Sequence, residues 1–172
     1  MYNYLLGIEN LLSRRKGKSN MSQYRDQLGA LGYSVNQGIQ VYAGVHKYIE
    51  QEGASAKSAF KNLFGKGVPM SQLLEAAEGL VPIWVDIQSK LFSFESQTFM
   101  LLDSDEQRYL DLMNEYVKKV RVAIDALVRR QRLLAEPPVK WSSHQAASQE
   151  YQSAMAAFIE AEERMNQASL WG

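Results

Sequence analysis

Apolar residues in this chain recur at alternating steps of three and four along almost its whole length, and that rhythm more than anything else restricts its fold. From residue 71 to 102 the apolar positions are Leu73, Ala77, Leu80, Trp84, Ile87, Leu91, Phe94, Thr98 and Leu101. A mean step of 3.5 residues keeps one face of an α-helix turned inward, whereas a strand needs strict alternation. The rhythm runs through Gly79 and Pro82. Proline inside a helix removes a hydrogen bond and crowds the preceding turn, so a kink is expected between Glu78 and Pro82.

Three further segments carry the same pattern. Tyr24, Leu28, Leu31, Val35, Ile39, Tyr42, Val45 and Ile49 form a stripe in a helix expected from Asn20, with Gln23 completing a capping box, to a stop at Gly53. Gly38 alone among its glycines points into the stripe, where it would admit a bulky neighbour. The next helix is expected from Ser104, capped with Gln107, to Pro137-Pro138, with Leu110, Met113, Val117, Val120, Ile124, Leu127, Gln131 and Leu134 inward. The last opens at Ser142 with Gln145 as its reciprocal cap. It alternates Ala147, Ala154, Ala161 and Ala168 with Tyr151, Phe158 and Met165, a small-residue edge suited to close packing. Residues 2 to 12 and 54 to 64 read as two short connecting helices. Strand signals are missing, and threonine occurs once.

The expected fold is therefore all-α: an antiparallel up-down bundle of four long helices plus two short ones. One domain spans 1–172, with 1–19 a short amphipathic segment and basic loop and 20–172 the bundle. Charge agrees with that order. Net charge is +5 over residues 1–70, −4 over 71–103, +2 over 104–140 and −3 over 141–172, so successive segments alternate in sign. Net charge over the whole chain is zero, which argues against binding polyanions through bulk charge.

Catalytic vocabulary is thin. Without cysteine there is no disulfide, thiol nucleophile or thiolate metal site. Carboxylate-bridged di-iron bundles use Glu-x-x-His, but Ala43 and Trp141 stand three residues before His46 and His144. No Gly-x-Ser-x-Gly or phosphate-loop spacing occurs, and Phe64-Gly-Lys-Gly-Val reads as a helix stop and turn. Glu75 and Glu78 share a face but read as complements to a helix dipole. His46 is expected at the core margin, satisfied by a neighbour, and His144 in solvent. No catalytic residue, cofactor or metal site is assigned.

Basic residues give the one candidate binding surface. Lys118, Arg121, Arg129 and Arg132 share a face of the third long helix, where Glu115 with Lys119 and Asp125 with Arg129 suggest salt-bridged pairs. An up-down order would also bring Lys57, Lys61, Lys66, Arg129, Arg130, Arg132 and Lys140 to one pole, beside Lys47, Phe60, Phe64 and Trp141. In the N-terminal segment, Leu5, Ile8 and Leu12 precede Arg14-Arg15-Lys16-Gly17-Lys18, in character a short interfacial anchor with a basic collar, though a short helix docked on the bundle end with a solvated basic loop is the favoured expectation.

These features favour a non-enzymatic interaction or assembly protein, scaffold- or adaptor-like, that contacts another protein or itself. The alternative is a peripheral binder of anionic membrane or nucleic acid through the basic pole. An enzyme or cofactor carrier with an unreadable site comes third. No run is apolar enough to span a bilayer, and the first residues lack the order of a signal peptide, so a soluble, cytoplasmic protein is expected.

Overall fold

The computed structural model describes residues 23–53, 67–136 and 140–168. Among them there is no strand, and four helical rods pack together as an all-α bundle. We label the helices α1 (Gln23–Gly53), α2 (Met70–Glu78), α3 (Leu80–Thr98), α4 (Ser104–Ala135) and α5 (Trp141–Gln167), with a 3₁₀ turn at Phe99–Leu101 closing α3. The expected short helices at 2–12 and 54–64, and the Asn20 cap, lie outside the described residues.

α2 and α3 are the two halves of one kinked rod, as the unbroken rhythm implies. The interruption is a single residue, Gly79, whose backbone stays helical (φ −60°, ψ −21°) and whose N–H still donates to the Glu75 carbonyl at 2.9 Å. Pro82 has no N–H to offer Glu78, which is why the ladder breaks here and not elsewhere. Leu80 and Trp84 on the far side of the kink are both fully buried.

Cross-helix pairs fix the up-down order. Arg25 lies 3.6 Å from Glu106, and Glu50 lies 2.7 Å from Arg130, so α1 and α4 run parallel. Asn114 donates to Glu95 and Arg132 to Glu78, setting α3 and α2 antiparallel to α4. Arg129 with Glu150 and Arg164 with Glu115 do the same for α5. α4 touches every other helix and is the axis of the bundle. Its inward face is wider than a single seam: Tyr116, Ala123, Ala126 and Val128 join the expected stripe in the core. In α1 every seventh residue of the stripe (Leu28, Val35, Tyr42, Ile49) is buried, and the residues between are half-buried.

Gly38 does what its place in the stripe implies. A Cβ there would stand 2.6 Å from Ile87 Cδ1 and 3.2 Å from Trp84 Cζ2, so α3 lies directly on the α1 backbone. The alanine edge of α5 is turned inward: Ala147, Ala154 and Ala161 are buried, with Tyr151 and Phe158 between them.

Several expected details differ. α4 is capped by Asp103, not Ser104, because Asp103 and Glu106 form the reciprocal box. Both residues three further on, Glu106 and Gln107, suit a box, and the charged carboxylate also meets the positive helix end. Gln107 instead donates to the Phe99 and Leu102 carbonyls and seals the turn before the helix. α5 starts at Trp141 after Lys140, with no side-chain cap, rather than at Ser142. Leu101 is exposed and Leu102 buried in its place, because the 3₁₀ turn tightens the winding and shifts the register by one.

Candidate functional site

At the bundle end where α1 and α4 finish and α5 begins, the structure places Arg129, Arg130, Arg132 and Lys140 of the expected basic residues. Lys57, Lys61 and Lys66 lie outside the described residues. The three arginines are already engaged. Arg129 chelates Glu150 with contacts of 2.7 and 2.9 Å, Arg132 donates to Glu78 at 2.7 Å, and Arg130 meets Glu50. Arg130 is also 7% exposed, hence a core residue and not a surface cation. Lys47 and Lys140 are exposed and make no ion pair among the described residues. Among the described residues this pole sets Lys47, Arg129, Arg130, Arg132 and Lys140 against Glu50, Glu52, Glu78, Glu136 and Glu150, five bases against five acids, so it carries no net positive charge.

The pairs expected along α4 are also replaced. Asp125 takes Arg121 rather than Arg129, and Glu115 takes Arg164 of α5 rather than Lys119. Arg121 is drawn inward further, donating to the Val81 carbonyl at 3.3 Å beside the kink. A cross-helix carboxylate wins because it fixes two elements with one pair.

Beneath the pole lies a polar layer that spacing did not reveal. Tyr42 of α1 and Tyr151 of α5 share a hydrogen bond of 2.7 Å between their hydroxyls, and the Tyr151 hydroxyl is also 2.7 Å from His46 Nδ1. The Tyr42 hydroxyl reaches Met155 Sδ at 2.6 Å. The Arg130 guanidinium lies 5.4 Å from the Tyr151 ring centroid, within cation–π range. His46 is thus satisfied at the core margin, as expected.

Burial sets the electrostatics of this layer. It pushes Tyr151 up to about 12 and Tyr42 further, keeping both hydroxyls protonated. Burial holds His46 below its ordinary value and Arg130 adds to this, against the opposing pull of Glu50. His144 is not solvated as expected. It is half-buried, edge-on to the Trp141 ring, with Nε2 enclosed, and burial followed by Arg130 lowers its pKa too.

The chain of hydroxyls has two self-consistent polarities. Tyr42 can donate to Tyr151 and Tyr151 to a neutral His46, or a protonated Nδ1 can donate to Tyr151, Tyr151 to Tyr42 and Tyr42 to Met155. The layer can therefore hold either protonation state of His46 without an orphaned hydroxyl. Among the described residues no cluster of His, Asp and Glu could hold a metal ion.

The other candidate is a surface. α3 has a second seam on its outward side: Pro82, Val85, Ser89, Phe92 and Ser96, again stepping three and four. Val85 is 46% exposed and Phe92 70%, Phe99 is half-buried, and Met100 (88%) and Leu101 (62%) continue the apolar surface past the helix end. Comparison with known protein families, with curated proteins and with solved structures finds no match.

Proposed function

We propose that this chain is a helical assembly protein, working through protein–protein contact rather than chemistry on a small molecule. The observation that carries this reading is the outward seam of α3. A helix already buried on one heptad-spaced face has no need of a second for its own fold, yet Val85, Phe92, Met100 and Leu101 leave large apolar side chains in water. Clustered exposed apolar groups of this kind mark contact surfaces, and a ridge at 3-4 spacing suits another helix. The polar layer serves as a register lock, since the Tyr42 and Tyr151 hydroxyls and His46 satisfy one another across α1 and α5 while Arg130 of α4 covers the Tyr151 ring.

Hydroxyl-radical footprinting tests the reading. Phe92 and Met100 are oxidised readily in dilute purified protein and are protected in an extract of the source cells. Equal oxidation of both in extract, in dilute solution and in concentrated solution overturns it.

A second reading keeps an anionic surface as the partner. Trp141 is 71% exposed beside Lys140, which makes no ion pair among the described residues, and the sequence between α1 and α2 holds three further lysines, 57, 61 and 66. Flotation with phosphatidylserine vesicles at low and high salt tests it, with a Lys57/Lys61/Lys140 triple alanine variant as the control.

A further inference from the structure

The start of α5 is lightly held. Between Trp141 and Glu150 only Ala147 is buried, and the first large buried side chain is Tyr151. No side chain caps the helix and no acid stands in its first turn, whereas α4 opens on a closed Asp103–Glu106 box. The polar contacts fastening this end are the surface pair of Arg129 with Glu150 and, beneath it, the Tyr151 hydroxyl bonded to His46 and Tyr42.

Both histidines of the chain stand at this joint. His46 of α1 is 2.7 Å from the Tyr151 hydroxyl, and His144 closes the first turn of α5, its backbone N–H donating to the Lys140 carbonyl at 3.0 Å. The groups facing His46 are Tyr42 and Glu50 on its own helix, Tyr151 on α5 and Arg130 on α4. Those facing His144 are Trp141 on its own helix and Arg130 on α4. The positive charge of the buried Arg130 therefore opposes charging of either ring. Glu50 is the one carboxylate in this set and already meets Arg130 at 2.7 Å. Arg130 and Glu50 cancel, so protonating both rings leaves two positive charges with no carboxylate to answer them.

The two rings are not equivalent. A protonated His46 keeps its hydrogen bonds, because the hydroxyl chain can reverse toward Met155, and Glu50 attracts it. His144 has neither relief. Its Nε2 is enclosed without a partner among the described residues, Arg130 is the charge that acts on it, and it sits at the positive end of the α5 dipole. Lifting the first turns of α5 off the bundle returns the ring to water and removes all three penalties.

We propose that His144, seconded by His46, makes the start of α5 an acid-released latch: proton uptake frees residues 141–151 from the bundle while the rest of α5 stays docked. The deeper part of the helix has its own anchors in Ala154, Phe158 and Ala161 and in the pair of Arg164 with Glu115. The latch draws on the polar layer and stands whether or not the assembly reading holds. The freed end takes up protons at the ordinary 6.5 and the docked end only below it. Opening therefore grows as pH falls through 6.5, by up to about tenfold per pH unit for each histidine, and levels off below the docked values.

Amide hydrogen exchange read by mass spectrometry at pH 7.5 and 5, each rate divided by the intrinsic rate at that pH, tests the latch. Protection over residues 141–151 falls about 10-fold or more on acidification, while that of α4 and of residues 154–165 holds. His144→Gln, neutral at both pH values, keeps most of its protection at pH 5. His144→Arg, charged at both, shows at pH 7.5 the low protection that the wild-type chain reaches at 5. NMR titration of the two imidazoles in the wild-type chain places both midpoints below 6.5, and this measurement needs no variant to fold. Loss of protection in all helices together, equal acid sensitivity in His144→Gln, or a His144 midpoint at or above 6.5 overturns the proposal.

Discussion

Gly38→Ala separates helix propensity from packing within one helix. Alanine is the better helix former by about 1 kcal/mol, so the substitution alone should stabilise α1. Packing opposes this. The new methyl would stand 2.6 Å from Ile87 Cδ1 and 3.2 and 3.4 Å from two atoms of the Trp84 ring. The isoleucine tip can rotate away, but Trp84 is fully buried and its rigid ring must shift with the helix that carries it. Overpacking of this kind costs about 1–3 kcal/mol, leaving a net loss near 1 kcal/mol. Gly44 is the internal control, because a Cβ there meets nothing within 4 Å. Gly44→Ala should therefore gain up to about 1 kcal/mol. Urea unfolding followed by circular dichroism reads both, and the two variants should differ by about 2 kcal/mol, or several degrees in melting temperature. Gly38→Ala matching Gly44→Ala in sign and size would refute close approach of α1 and α3.

Ala154→Leu and Ala161→Leu should each cost about 1–3 kcal/mol by overpacking the buried alanine edge of α5, read as a lower denaturation midpoint. Because burial lowers the folded pKa of His46, the unfolded chain takes up a proton first as pH falls below 6.5. The stability contributed by neutral His46 is thus complete above 6.5, declines below it and levels off once pH passes the folded value. His46→Gln should flatten that loss between pH 7.5 and 5, and an equal slope in both proteins would count against the assignment. Arg130→Ala should destabilise by about 1–3 kcal/mol, chiefly by uncovering the Tyr151 ring, because Glu50 keeps 37% of its side chain exposed and stays hydrated without its partner, while Arg130→Met with Glu50→Gln should recover most of it. Urea midpoints of the single and double variants check this.

What the sequence made legible was whatever repeats with the helix. The stripes of α1, α3, α4 and α5 could be read because a 3-4 rhythm sustained over 20 residues has one physical reading, and the kink followed from one proline crossing it. Cap positions slipped by a residue because Asp103 and Ser104 are adjacent cap formers with Glu106 and Gln107 in matching places, and only geometry shows which box closes. The polar layer was hidden for a different reason. Tyr42 and Tyr151 were placed in the core correctly, but their hydroxyls meet across 109 residues, and spacing within a helix carries nothing about which faces of two helices touch. Arg130 is the instructive case. Charge assigns it to the surface, although it stands seven residues after Ala123 and fourteen after Tyr116, both buried. Position in the seam was the better signal than residue type, and it would have put Arg130 inside.

The same ordering of signals explains why the outward face of α3 was not read. A helix wheel assigns one apolar face, and the inner stripe of Leu80, Trp84, Ile87 and Leu91 dominates it. Once those four are buried, the remaining apolar groups have to be judged as a pattern of their own. Val85 and Phe92 are seven residues apart, Phe99 follows at the next seventh, and Pro82, Ser89 and Ser96 keep the same interval between them. Val85 and Phe92, on a face that the fold leaves in water, are not required by folding, since exposed serines would serve it as well at both positions. Packing inside the bundle ties α3 to α1 through Gly38 and to α4 through Asn114 and Arg121, which holds the helix rigid. A rigid helix presents its outer side chains already ordered, so an incoming helix sacrifices less conformational freedom to dock on it. The inner seam thus sets the quality of the outer one: loosening α3, as Gly38→Ala would, should weaken docking as well as stability.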